Sequence, residues 1–169
     1  LQSKYRNILT VSSGGYGYAK IPLLFRQQDP LSPPSGKKML LAFTGSLRTN
    51  RIRGICTFRL QKMFKKKFNS YEGKKWINLV QESHFIVCPR GFGRTAFKLY
   101  ETFDFQRVPI YIYDDLPWLP YEHMINWESI SIPIPMNRLH ELRKIVNAID
   151  KSDYNKMVER AKELHEDYF

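Results

Sequence analysis

The segment "SHFIVCPRGFGRTAFKLYETFDFQRVPIYIYDD", residues 83–115, decides how this chain is read. "HFIVC" and "VPIYIYDD" are short apolar runs without polar alternation, as strands covered on both faces require. Between them, "RTAFKLYETFDFQ" has helical spacing, with Phe97, Tyr100 and Phe103 on one side and expected in the core. Strand, helix and strand in this order argue for neighbouring strands of a parallel sheet. The turn that opens the helix, "CPRGFGRT", is basic and spaced by glycines.

The same alternation runs outward in both directions. Upstream, "NILTVSS" is a strand ending at Gly14-Gly15, "QQDPLSPPSGKK" an exposed loop, and "KMLLAFTGS" a buried strand stopped by Gly45-Ser46. Residues 50–66 follow as a helix, with Ile52, Ile55, Leu60 and Met63 apolar, and "KKWINLVQES" as a shorter one. Downstream, "ESISIPIP" is a proline-punctuated strand expected near a sheet edge, followed by helices in "NRLHELRKIVNAI" and "KSDYNKMVERAKELHEDYF". Ser152 or Asp153 is the expected cap of the last helix. The pattern predicts an α/β fold, a Rossmann-like open parallel sheet with helices on both faces. Residues 1–36 are expected to form an N-terminal strand and exposed linker, and residues 37–169 the domain. Ligands of such sheets bind at the carboxyl ends of the strands, which places residues 45–53, 90–95 and 114–115 on one rim.

Composition narrows the partners. Lys and Arg number 27 against 16 Asp and Glu, a net charge of +11 that favours anionic ligands. Part of that surplus is local, since "KMFKKKFN" puts four lysines within six residues. It reads either as a solvated helix end or as a dedicated binding patch. Cys56 and Cys88 match no zinc spacing and are expected as buried free thiols. No apolar run approaches the roughly 18 residues of a membrane span, and "LQSKYRN" lacks a signal-peptide core. The absence of an initiator Met suggests a fragment or a processed chain.

A helix that opens after a glycine-spaced turn presents unpaired amides and the positive end of its dipole to an anion. Gly91 and Gly93 are expected to let the backbone approach a ligand, and Arg90 and Arg94 to add charged donors. Arg94, Lys98 and Glu101 are spaced to share one helix face. Cations at the helix start with an acid two turns deeper match the polarity of a nucleoside diphosphate. Glu101 would take ribose hydroxyls, and Arg94 and Lys98 the phosphates. An ordinary exposed Arg/Lys/Glu ladder fits the spacing equally well. A Walker A loop does not, because Cys88 stands where its first glycine is needed and Arg94 where its lysine is. Gly91, Gly93 and Ala96 with Asp114 about 20 residues on satisfy a dinucleotide (NAD) fingerprint, against which Pro89-Arg90 lengthens the turn. Asp114-Asp115 lacks a third metal ligand and reads as a cap of the strand-end loop; no metal site is expected.

"CPRGFGRTAFKLYETFDFQRVPIYIYDD" resembles the signature of exostosin-type glycosyltransferases (glycosyltransferase family 47). "KKMLLAFTGSLRTNRIRG" is similar to the family's strand and Arg-rich helix start, and "NWESISIPIP" with "LHELRKIV" to its closing strand and helices. The resemblance implies the C-terminal, nucleotide-sugar-binding lobe of a two-lobed GT-B enzyme. It also implies an inverting transfer from a nucleotide-sugar donor, usually UDP-linked, to a glycan hydroxyl, with no cofactor required. Glu101 matches the family's ribose-binding Glu, and Arg51 or Arg53 its Arg after the first strand. Lys98 stands where the family has Arg, and Ala96 where it has Ser, a loss for which Thr95 compensates. Gln106-Arg107 replaces Gly-Cys, a change expected to affect only the turn. The acceptor lobe, and with it the general base, is expected from an N-terminal lobe or partner chain, so no catalytic residue is assigned. His84, His123, His140 and His165 are expected to be structural. Relatives work in the Golgi lumen behind an anchor; a soluble viral form would be cytoplasmic.

Two other classes compete. A nucleic-acid-binding module would use the +11 charge and aromatics such as Tyr16, Tyr18 and Phe68, but leaves Glu101 beside Lys98 unexplained, and nucleic acid is not the expected partner. A non-catalytic glycan-binding relative that kept the fold is left open by the residues at 96 and 98.

Overall fold

The computed structural model describes residues 9–23, 26–34 and 40–168. The first part of "NILTVSS", the start of "KMLLAFTGS" and the end of the Pro/Ser/Gly loop lie outside the described residues. The elements in chain order are β1 (Val11–Ser12), β2 (Ala19–Lys20), β3 (Leu41–Thr44), α1 (Arg51–Phe64), β4 (Phe68–Tyr71), α2 (Trp76–Glu82), β5 (Phe85–Pro89), α3 (Phe97–Asp104), β6 (Val108–Tyr113), β7 (Ile132–Pro135), α4 (Leu142–Ala148) and α5 (Lys151–Tyr168).

Strands β3 to β7 form one parallel sheet in the order β4-β3-β5-β6-β7, so the path reverses between β3 and β5. Within the strands, Leu41, Phe43, Phe85, Val87, Val108, Ile110 and Ile112 face one side, and Ala42, Ile86, Cys88 and Tyr111 the other. The first side packs on Ile52, Cys56 and Leu60 of α1 and Leu142 and Val146 of α4. The second packs on Val80 of α2 and Leu99, Tyr100 and Phe103 of α3. This is the layered α/β fold expected, and burial of both faces is why the strand sequences do not alternate. Helix α5 wraps from one side to the other. Its Tyr154 joins the first core and donates to the His84 carbonyl at 3.0 Å, while Ala161 and Leu164 join the second.

β7 is an edge strand, where Pro133 and Pro135 need supply no outward N–H. The opposite edge, β4, was not foreseen. After α1 the three lysines 65–67 form a 3-10 turn, entered by Lys65 at φ 51°, that delivers the chain into "FNSY". The lysine run thus closes α1, with Lys62 in its last turn and Lys65 as its C-cap, and continues as the connection to β4. The last helix begins at Lys151 rather than after Ser152 or Asp153; the carboxylate of Asp150 caps it, accepting from Asp153 N at 2.8 Å.

Arg107 corrects a further expectation. It is 1% exposed and donates to the carbonyls of Phe105, Gln106, Ser32 and Gln81, tying the segment 26–34 and the end of α2 to the turn before β6. Its influence reaches well past the turn. Gln106 takes φ 56°, a conformation that suits the glycine it replaces. Cys56 and Cys88 are free and buried, and burial pushes each thiol up to about 12.

Candidate functional site

A cleft of about 670 Å³ opens at the reversal point, over the carboxyl ends of β3 and β5. Thr44 and Gly45 line it from β3, residues 91–93, residues 95–98 and Glu101 from the β5–α3 connection and α3, and Gly73 and Trp76 from the β4–α2 connection. Gly14 and Leu23 of the N-terminal segment close another side.

Arg53 is placed by the start of α1. Asn50 caps that helix, accepting from Ile52 N at 3.0 Å, and its amide donates to Gly91 O at 3.0 Å. The guanidinium then donates from Nε to Arg90 O at 3.0 Å and from Nη1 to Ser46 O at 3.1 Å. Nη2 lies over Gly91, only 3.4 Å from where a Cβ would sit. Burial lowers the Arg53 pKa, partly opposed by Cys88, but a guanidinium this basic stays charged at neutral pH.

The start of α3 forms the cleft's second pole. Ala96 is its cap residue and has no side chain to accept from the first amides, which leaves that turn open to a ligand. Thr95 is buried beside Tyr100, whose phenol burial pushes up and the Thr95 hydroxyl pulls back. Lys98 and Glu101 form an ion pair on the helix face lining the cleft. The Lys98 ammonium lies 3.8 Å from the centroid of Trp76 and 5.7 Å from that of Phe105. It is fixed by an aromatic face and a carboxylate together. Thr44 is 4% exposed, and its hydroxyl has no hydrogen-bond partner among the described residues.

Other expected site residues go elsewhere. Arg94 precedes α3 and so does not share the face of Lys98 and Glu101. Its Nε donates to Asp115 at 2.8 Å and its Nη1 to Gly15 O at 2.7 Å. Arg90 donates to Asp114 at 2.9 Å and to the Tyr16 hydroxyl at 3.3 Å. Burial pushes the Asp115 carboxyl up, but the Arg94 hydrogen bond, the Leu116 amide and the charges of Arg94 and Arg90 outweigh this and hold it below its ordinary value. The two aspartates therefore fasten the loop, and neither arginine lines the cleft. Arg51 is exposed on α1 and does not line it either. Phe97, expected in the core, is 51% exposed at the cleft, whereas Tyr100 and Phe103 are buried. Gly93 lines the cleft, but what demands glycine there is the protein itself: a Cβ would lie 1.7 Å from the Gly14 carbonyl oxygen.

Trp76, Gly73, Thr44 and Leu23 were missed. Trp76 and Gly73 follow β4, so recognising "FNSY" as a strand would have placed them on the ligand-binding rim.

A model of the Exostosin GT47 domain matches residues 12–149. A probable glycosyltransferase of Arabidopsis thaliana is 25% identical over 96 residues, which is 57% of this chain and 20% of that protein. The chain is similar to about a fifth of that relative's length. The family match runs from the segment holding β1 through α4, taking in the whole sheet and the cleft, and on that basis the chain belongs to the exostosin GT47 family of glycosyltransferases.

Proposed function

We propose that this chain is the donor-binding lobe of an inverting GT-B glycosyltransferase that transfers a sugar from a UDP-linked donor to a glycan hydroxyl. The observation that carries this reading is the convergence of Arg53, Lys98, Glu101 and the uncapped start of α3 on one cleft at the sheet's reversal point. The diphosphate lies against the α3 amides, with Arg53 and Lys98 on either side supplying positive charge. Glu101 accepts from the ribose hydroxyls while keeping its contact with Lys98. As the acceptor oxygen bonds to the anomeric carbon, the electron pair of the breaking C–O bond passes to the diphosphate. The preset charges of Arg53 and Lys98 stabilise that leaving group without reorganising. The base that takes the acceptor's proton comes from an N-terminal lobe or partner chain, as does the acceptor site. Lys98 keeps the charge of an arginine but not its fork, and Trp76 and Glu101 restrict the ammonium that a lone lysine would leave mobile.

Isothermal titration of UDP into the protein tests this. Lys98→Ala should weaken binding by about 1.5–3 kcal/mol, the range for hydrogen bonds to charged groups. Glu101→Gln should weaken UDP and uridine alike, and should not weaken inorganic pyrophosphate to the same extent, because Trp76 still holds the Lys98 ammonium. Wild-type affinity for UDP in both variants, or no UDP binding beside salt-sensitive binding of DNA, sinks the reading.

A further inference from the structure

The surface away from the cleft is divided unevenly in charge. On α5 the exposed cations are matched by acids one turn away: Lys156 with Asp153 at 3.2 Å, Arg160 with Glu163 at 2.6 Å and Lys162 with Glu159 at 2.8 Å. On α1, the lysine turn and α4 there is no such match. These segments contain no Asp or Glu. Arg59, Lys62, Lys65, Lys66, Lys67 and Arg143 are all exposed, and none has a carboxylate within ion-pair distance among the described residues.

These charges surround a hollow and an apolar ridge. The three lysines, Arg143 and Asn147 line a recess of about 380 Å³ between the end of α1 and α4, floored by Met63 and Phe64. Beside it, Ile55 and Phe58 stand on the outer stripe of α1 at 38% and 61% exposure, with the Lys62 ammonium 4.3 Å from the Phe58 ring centroid. Ile55 and Phe58 are one helical turn apart, and Lys62 follows Phe58 by another. A soluble polyanion would be served by the lysines alone. An anionic bilayer uses both features, taking the apolar side chains below its headgroups and the cations among them.

We infer that the face formed by α1, the lysine turn at 65–67 and α4 is a docking surface for an anionic phospholipid bilayer, with a phosphate-bearing headgroup in the recess. This does not depend on the proposed transferase function. The cleft opens at the carboxyl ends of the strands, while the lysine turn lies at the amino end of β4, so docking leaves the cleft uncovered. The sequence "KMFKKKFN", which by itself also reads as a solvated helix end, here forms part of a face whose Arg59, Lys62, Lys65, Lys66, Lys67 and Arg143 have no ion-pair partner among the described residues.

Co-sedimentation of the protein with vesicles tests this. It should bind equimolar phosphatidylcholine/phosphatidylserine vesicles and not pure phosphatidylcholine, with binding that weakens as salt rises. The triple variant Lys65→Gln, Lys66→Gln, Lys67→Gln should lose about a hundredfold in partitioning, from about fivefold per basic residue. A matched triple on α5, Lys156→Gln, Arg160→Gln, Lys162→Gln, should lose little. Phe58→Trp, with an otherwise intact surface, should add to the parent's fluorescence an emission that shifts to the blue on anionic vesicles only. Equal losses from the two triples would reduce the effect to overall charge and overturn the inference. So would an added emission in the Phe58→Trp variant that vesicles leave unmoved, or tight binding of heparin or RNA without vesicle binding.

Discussion

Replacing Gly93 with alanine tests how the N-terminal segment is held to the domain. A Cβ at this position would lie 1.7 Å from the Gly14 carbonyl oxygen and 2.7 Å from its carbon. Both are backbone atoms, so no rotamer change relieves the overlap and the segment holding Gly14 must withdraw. Three hydrogen bonds then go: Arg94 N to Gly14 O at 3.1 Å, Arg94 Nη1 to Gly15 O at 2.7 Å, and Trp118 Nε1 to Ser12 O at 3.3 Å. Two neutral bonds at about 1 kcal/mol each and one charged bond at about 1.5–3 give a loss of about 3.5–5 kcal/mol. Arg94 keeps Asp115, so the lower end of that range is expected. Gly54→Ala is the matching control. It sits inside α1 with nothing within 4 Å of an added Cβ, and the change should stabilise by about 0.5–1 kcal/mol. Urea denaturation of both variants reads the two signs. A Gly93→Ala protein within about 0.5 kcal/mol of the parent, the range of an ordinary surface change, would refute the contact.

Arg107→Met should cost about 3 kcal/mol, since carbonyls of Ser32 and Gln81 lose a charged donor, and should speed proteolysis within residues 26–34. A loss below about 1 kcal/mol would mean those carbonyls find other donors. The cysteines set an alkaline limit: burial raises both thiols from 9.0 to about 12, so the folded state favours the protonated form. The stability this confers is complete below the unfolded pKa near 9.0 and is lost as pH rises towards about 12. Melting temperature should fall across that window and fall less in Cys88→Ala, while iodoacetamide at pH 8 should label neither thiol until urea is added. Rapid labelling of the native protein would contradict their burial.

The parts of the fold that were legible in the sequence are those whose residues meet one demand. "HFIVC" and "VPIYIYDD" lie in the middle of the sheet, where both faces are covered, and their composition says so. "FNSY" lies at the edge, with Phe68 alone buried, and its polar remainder matches a loop as well as a strand. In the site, Lys98 and Glu101 were legible because both sit inside α3, where spacing fixes the face. Arg94 was not, because helical spacing was extended one turn too far; the chain before Ala96 is a loop, and loop geometry obeys contacts rather than periodicity. Those contacts, Asp115 and Gly15, come from residues 21 and 79 positions away. Arg107 was misjudged for the same reason, since the carbonyls it serves at Ser32 and Gln81 are distant in sequence.

The choice between Arg51 and Arg53 shows how a distant contact completes a local rule. Two residues along a helix turn the side chain by about 200°, so only one of them can face the cleft. Which one depends on where the helix begins, and Asn50 settles that by capping Ile52 N while its amide holds Gly91 O. The same asparagine thus starts α1 and ties it to the loop before α3. Because β3 and β5 are neighbours whose helices leave on opposite faces, the two helix starts converge only across that loop. Arg53 points between them, buttressed by Arg90 O and Ser46 O, and Arg51 points to solvent. Asn50 therefore positions a cation it does not touch. Asn50→Ala should weaken UDP binding through Arg53, and should do so no further in a protein that already carries Arg53→Ala. Additive losses in the double variant would mean that the asparagine acts on the ligand by another route.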